Sequence, residues 1–342
     1  MMKKSKHLLV MLSSFLLTIA LVGVYRTMSR VEKTGIILDT DPGLGVVEEG
    51  QARDVDDGLV IVEALNNTSI EVLGIGVVQG NSRVENGMKS AQQILSKIDK
   101  EVPLWLGAAD SVSVSNFETN QAVEEMAKIL ATRRVKILAI GPLSNVATLV
   151  QRYPKVIPNI EELVVVMGRS PGLEFFIEDK GPLRDFNFDM DVEAVQTVLD
   201  AKVPMTLAPF ELSVNALIDG EHVKQLQKQG VVGEHIYEGS QAWMQAMERM
   251  FEGRQGFHPW DSAAFSYLSH PEFFKCEYRG FRISKARHSL QGNSLLEQNL
   301  KEPFWFELSN EFNSPYQLKF CFAFEDGALP LFLDSIVQAI HD

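Results

Sequence analysis

From Gly35 onward, short apolar runs of strand length alternate with longer stretches of helical spacing, and this alternation constrains the fold more than any other feature. Gly35-Ile36-Ile37-Leu38 reads as a strand that meets a loop at Asp39-Thr40-Asp41. Gly58 to Leu65 follows as a helix with Leu59, Val62 and Leu65 on one face. Further strands are expected over 70–78, 103–106, 135–140, 163–167 and 205–208, and helices over 84–98, 123–131, 145–151 and 192–200. The pattern is helical from Gly220 to Phe251 and again over 261–268. Strands and hairpins occupy 278–288 and 303–324, before a closing helix over 329–340. Successive strand–helix–strand units need crossovers, which build a mostly parallel sheet with helices on both faces. The expected fold class is therefore α/β, an open Rossmann-type sheet flanked by helices, in one domain over residues 34–342.

Composition narrows the class. The 342 residues are 45% hydrophobic and 23% charged, which excludes a disordered chain, a collagen-like fibre and a coiled coil. Lys+Arg is 32 against Asp+Glu 45, a net charge of -13. Binding nucleic acid through phosphate needs a basic face, so a nucleic-acid partner is not expected. Cys276 and Cys321 are too few for a disulfide scaffold or a four-thiolate zinc site; they have apolar neighbours and are expected to be buried thiols rather than one bridge.

The first 33 residues stand apart. Lys3, Lys4 and Lys6 precede an uncharged run from Leu8 to Tyr25, closed by Arg26. As a helix, 18 residues nearly span a bilayer, and Ala20-Leu21-Val22 is a poor cleavage site. An uncleaved signal anchor through residues 8–25 is expected over a cleaved signal peptide, with Thr27 to Lys33 as a polar tether. The positive flank places the N-terminus inside and the domain outside the cytoplasm, in the periplasm if the source is bacterial.

In open α/β sheets, ligands bind beyond the carboxyl ends of the strands, so polar residues just after strands carry the chemistry. Asp39 and Asp41 follow the first strand, with Asp54, Asp56 and Asp57 soon after. Asn81 follows the second strand, Gly141-Pro142-Leu143-Ser144-Asn145 the fourth, and Asp185-Phe186-Asn187 lies beyond the fifth. Five carboxylates within a short stretch repel one another unless a cation sits among them. Hard oxygen ligands suit Ca²⁺ or Mg²⁺, and the lack of a His or Cys cluster argues against zinc. Helix capping by Asp54, Asp56 and Asp57 is the plainer account, but it leaves Asp39 and Asp41 unexplained.

Ile36-Ile37-Leu38, Asp39-Thr40-Asp41-Pro42-Gly43 and Asp54-Val55-Asp56-Asp57-Gly58 together resemble the N-terminal signature of the inosine–uridine-preferring nucleoside hydrolases, with Leu44 to Arg53 standing as an insertion between its two parts. Gly80-Asn81, Ile140 to Ala147, Val165 to Gly168, Asp185-Phe186-Asn187 and Pro259-Trp260-Asp261 are similar, in order, to that family's later blocks. The resemblance implies a nucleoside-hydrolase-like domain that cleaves the N-glycosidic bond of ribonucleosides, releasing ribose and free base with the help of a water held by Ca²⁺. It implies Asp41, Asp57, Asp261 and the Ile140 carbonyl as metal ligands, with Asp41 also taking the proton from the attacking water. Asp56, Asn81, Asn187 and Asp261 would grip the 2′ and 3′ hydroxyls, Asp185 and Met167 would lie near the 5′ end, and Asp39 would orient the loop from behind. The implied partner is a small-molecule nucleoside, with homo-oligomerisation an open possibility.

The chain also departs from the family. Trp260 stands where many members carry a histidine that serves as acid for the leaving base. An indole is no acid but can stack on a purine, so a purine preference is expected, with Trp260 as packing at a helix start the alternative. His258 reads as a loop residue. Arg169 replaces the second glycine of the strand-end pair, and Arg184 precedes Asp185; both are expected to pair with neighbouring acids. The segment from Leu106 to Asn120 lacks the histidine- and glycine-rich loop of many members. Two other functions fit parts of this pattern. One is a membrane-tethered, non-catalytic member that keeps the metal and ribose site. The other is a Mg²⁺-dependent aspartyl-phosphate phosphatase, on the strength of Asp39-Thr40-Asp41, although Gly43 and the absence of an evident lysine motif weigh against it.

Overall fold

Nine strands form the central sheet of the computed structural model, which describes residues 33–112, 117–177, 180–251, 255–286 and 304–341. We number them β1 (Thr34–Thr40), β2 (Ile70–Val77), β3 (Leu104–Leu106), β4 (Val135–Ala139), β5 (Ile160–Val165), β6 (Met205–Leu207), β7 (Phe274–Lys285), β8 (Phe304–Ser309) and β9 (Leu318–Phe324). Their order across the sheet is β8-β7-β9-β6-β5-β4-β1-β2-β3. The β1–β4, β4–β5, β5–β6, β6–β9 and β2–β3 pairs are parallel, and β7 and β8 form an antiparallel edge. The mostly parallel α/β architecture expected from the alternation is the one observed. The chain leaves β1 for β2 and β3 on one side, then returns to β4 on the other. β1 and β4 therefore flank the point where strand order reverses, the place where such sheets bind ligands.

Strand side chains alternate between two cores. Ile36 and Leu38 of β1 join one apolar cluster and Ile37 the other. Over the first face lie α1 (Asp56–Asn66), α2 (Val84–Ile98), α6 (Val231–Met250), α7 (Trp260–Ser269) and α8 (Ala328–Ala339); over the second lie α3 (Gln121–Leu130), α4 (Ser144–Arg152) and α5 (Val192–Asp200). With strands buried on both faces, β1 reads as a continuous apolar run rather than an alternating one. The helical stretch expected over 220–251 is two helices, Gly220–Gln227 and α6, because Gly230 adopts φ 92° between them.

The cysteine expectation is corrected. Cys276 on β7 and Cys321 on β9 are directly paired across the antiparallel strands and joined as a disulfide. The two face each other only through sheet register, which sequence separation does not reveal. The apolar run Leu8–Tyr25 lies outside the described residues. Among the described residues, no helix is long and apolar enough to cross a membrane. Residues 35–342 form one compact unit.

Candidate active site

The strand β1 delivers Asp39, Thr40 and Asp41 to the reversal point, all fully buried. The Thr40 hydroxyl donates to Asp57 Oδ1, and the Asp41 backbone N–H donates to the same oxygen at 3.0 Å. Asp56 and Asp57 occupy the first turn of α1, yet they do not cap it: the residue before the helix makes no side-chain cap bond. Asp56 Oδ2 instead accepts from the backbone N–H of Asp261, at the start of α7, at 3.0 Å. The acids thus tie β1, α1 and α7 together, which capping alone would not do. Space around Asp41 is tight: a Cβ on Gly80 would lie 2.0 Å from Asp41 Oδ2, so only glycine lets the Asn81 N–H reach that oxygen, at 2.6 Å.

Carboxylate oxygens of Asp56, Asp57 and Asp261 lie within 4.8 Å of one another and could hold a metal ion. Among the described residues, no lysine or arginine forms an ion pair with Asp41, Asp56, Asp57 or Asp261; the nearby Arg53 is committed to Glu48 at 3.1 Å. The charge must therefore be relieved otherwise. Burial, first, and then repulsion from Asp57 push Asp41 well above the carboxylate range. Burial and the neighbouring carboxylates, Asp56 foremost, do the same to Asp261, and burial with Asp57 pushes Asp56 up to about 7. Buried, unpaired, all-oxygen donors fit a hard divalent cation and do not fit zinc.

A cavity of about 410 Å³ opens from this cluster. Asp41, Asp54, Asp56, Asp57, Asn81, Ile140, Asp185, Asn187, Trp260 and Asp261 all line it. The Asn187 amide donates to the backbone carbonyls of Ile140, at 2.7 Å, and Val166, at 3.3 Å, so it bridges the ends of β4 and β5. Asp185 Oδ2 accepts from the Gly168 N–H at 2.7 Å, and burial pushes Asp185 up to about 7 against the pull of Arg169. Gly168 has φ +89°, a conformation that aims its N–H there and that an L side chain rarely adopts. Asp39 stands behind the cavity wall, held by the Asn145 amide at 2.8 Å; burial pushes it up to about 7.

Three expectations are corrected here. Met167 is buried with Leu163 and Val165 in the core of the second face; the preceding Val166 lines the cavity, because successive residues of an extended chain point to opposite faces. Trp260 lines the cavity but offers no open π-face. Its ring stacks on Phe210 at 4.7 Å and on His258 at 4.3 Å, and Phe210 stacks in turn on Phe175 at 4.2 Å. Arg169 closes the far end, 3.9 Å above the Phe175 ring. The stack therefore turns ring edges to the cavity. His258 is buried within this stack with Nδ1 on the Ala216 carbonyl at 2.7 Å, and it does not line the cavity. The expected ion pair of Arg184 is with Asp189, at 3.8 Å. Arg169 is wholly buried against rings, and among the described residues it forms no ion pair with an acid, correcting that expectation.

No sequence motif marks the rest of the wall. Trp243, Met247 and Met250, spaced four and three residues apart along α6, line the cavity, as do Phe175, Phe186 and Phe251. Helical spacing marks them as one face of a helix but does not say which cavity that face meets. The insertion between the two acidic blocks folds as a tight hairpin, Val47–Glu48 against Gln51–Ala52, turning through Glu49 and Gly50, both at positive φ. Its second arm and Arg53 also line the cavity.

The chain is 24% identical over 274 residues to the pyrimidine-specific ribonucleoside hydrolase RihB of Escherichia coli O139:H28, covering 72% of this chain and 82% of the relative. It is 28% identical over 264 residues to the non-specific ribonucleoside hydrolase RihC of Klebsiella pneumoniae subsp. pneumoniae, covering 70% and 80%. The fold is similar to that of the purine-preferring ribonucleoside hydrolase from Gardnerella vaginalis, with a TM-score of 0.70, 17% identity and coverage of 90% of this chain and 98% of that one. The sequence pattern of the inosine-uridine preferring nucleoside hydrolases matches residues 36–314, which span every strand end and acid of the site, and the chain belongs to that family of N-glycosyl hydrolases.

Proposed function

We propose that the protein hydrolyses ribonucleosides to ribose and free base with Ca²⁺ as its cofactor and a preference for purines. The observation that carries the reading is the buried carboxylate cluster at the reversal point, opening into a cavity lined by both polar and aromatic side chains. Asp57 and Asp261, with Asp41 and the Ile140 carbonyl, would hold the ion, and Asp56 stands close enough to join them. When bound, the ion supplies the positive charge that keeps these carboxyls ionised, polarises a water and anchors the ribose diol.

The chain's own groups do the rest. Asp41 accepts the proton of the attacking water, help of a kind worth about 10²–10⁴-fold. Asp56, Asn81, Asn187 and Asp261 orient the ribose hydroxyls, and Asp185 faces the 5′ end. Loss of the base leaves an oxocarbenium-like sugar, which the surrounding carboxylates stabilise. The long apolar wall of Phe175, Phe210, Trp243 and Met247 supports a preference for the larger purines. Ribose release from inosine, adenosine, guanosine, uridine and cytidine, with and without a chelator, tests all parts. The expected result is faster purine turnover, lost on chelation and restored by Ca²⁺. No ribose from any nucleoside overturns the activity, equal purine and pyrimidine rates overturn the preference, and full rates in chelator overturn the cofactor.

The proposal extends to placement outside the cytoplasm behind an N-terminal anchor. A disulfide persists in oxidising compartments, and the Lys-flanked run of residues 8–25 has anchor length. Intact mass of the membrane-extracted protein tests it: a mass lacking the first residues shows a cleaved signal instead.

A further inference from the structure

Glu63 lies in the second half of α1, 2% exposed, between Val62 and Ala64, and interrupts a run that is otherwise apolar from Leu59 to Leu65. A carboxyl so placed costs free energy unless it is partnered. Its partner is Ser262, also buried, whose hydroxyl donates to Glu63 Oε1 at 2.5 Å. Ser262 directly follows Asp261, and Glu63 lies seven residues, two helical turns, beyond Asp56 on the same face of α1. Two polar bonds therefore cross one helix–helix contact: Asp261 N–H to Asp56, and Ser262 hydroxyl to Glu63. The first alone would let α7 pivot about Asp56; the second, farther along α1, removes that freedom.

We infer that Glu63 and Ser262 are positioning residues, which fix the start of α7 on α1 and so set Asp261 against Asp56 and Asp57 for cation binding. The inference rests on the proposed Ca²⁺ site. Burial pushes Glu63 up to about 8, so near pH 7 it accepts the Ser262 bond without adding another negative charge beside the cluster.

Glu63→Leu, Glu63→Gln and Ser262→Ala separate positioning from plain stability. Chelator-stripped protein is titrated with Ca²⁺ by calorimetry, and thermal unfolding of the same stripped samples is recorded. Outer partners of metal ligands are typically worth about 10–100-fold in affinity. Glu63→Leu and Ser262→Ala are expected to weaken Ca²⁺ binding about tenfold or more, and Glu63→Gln, which keeps the acceptor oxygen, to stay within about threefold. A lower melting temperature with Ca²⁺ affinity unchanged in folded Ser262→Ala shows a structural role only and overturns the inference. Ser262→Ala makes the smallest change, so it decides the matter if Glu63→Leu does not fold. Wild-type protein that takes up no Ca²⁺ overturns the metal reading and this inference with it, whereas binding that is equal in all variants overturns this inference alone.

Discussion

Stripping divalent cations from the protein should make its stability fall steeply between mildly acidic and neutral pH. Asp39, Asp56 and Asp185 sit near 7 in the fold, and Asp41, Asp54, Asp57 and Asp261 are also raised, in every case chiefly by burial. In the unfolded chain the same groups ionise near 3.8. Between those limits the folded state holds protons that the unfolded state has released. Stability therefore falls as pH rises through that window, and it goes on falling towards 8, where Glu63 releases its proton. His235, which burial holds below its usual value, acts in the opposite sense, but it is one group against several. Each extra proton held by the fold is worth about 1.4 kcal/mol per pH unit, so one net proton between pH 5 and 7 costs ~3 kcal/mol. In a domain of this size that lowers the melting temperature by about 5 °C. Ca²⁺ competes with protons for the same oxygens, so added Ca²⁺ should raise the melting temperature more at pH 7 than at pH 5. Circular dichroism melts at the two pH values, in chelator and in Ca²⁺, give the four numbers needed. A stripped protein as stable at pH 7 as at pH 5, or an equal Ca²⁺ increment at both, would refute the electrostatic account of the cluster.

Other perturbations follow from the same geometry. Asp41→Asn should lower turnover about 10²-fold or more while nucleoside still binds by calorimetry, as loss of a general base requires; turnover within a few-fold of wild type removes Asp41 from that role. Trp260→Ala should cost about 2–4 kcal/mol in denaturant unfolding, since it opens a gap between Phe210 and His258, and should slow purines and pyrimidines alike; a selective loss of purine cleavage would show that the ring face is reached by the base after all. Cys276→Ser should cost about 2–4 kcal/mol, and a reductant should lower the wild-type melting temperature similarly while leaving that of the variant unchanged.

The strand ends were legible because their signal is local: an apolar run, then an acid, in Ile36 to Asp41, needs no knowledge of the rest of the chain. Asp185 and Asn187 lie well beyond their strand, and it is the resemblance of Asp185-Phe186-Asn187 to a family block that marks them. What failed depended on how elements pack against one another. The open face assigned to Trp260 is closed by Phe210, some fifty residues earlier, and by His258 on its other side. The disulfide follows from the β7–β9 register, and the cavity-facing edge of α6 from how that helix docks. Met167 is the exception. Leu163, Val165 and Met167 share one parity along the chain, so its inward direction could have been read from the sequence alone.

The ring stack beside the cavity has an electrostatic consequence. Phe175, Phe210 and Trp260 each have both faces covered, by Arg169, by one another or by His258. What they turn to the cavity is hydrogen-bearing rims, and the rim of an aromatic ring is the positive part of its quadrupole. Such a wall favours electron-rich atoms: carbonyl oxygens and unprotonated ring nitrogens at the border of a base. It favours them more as the base departs and takes on the electrons of the broken bond. A cavity with no histidine among its described lining residues thus still presents a weak, preorganised field that follows the charge of the leaving group.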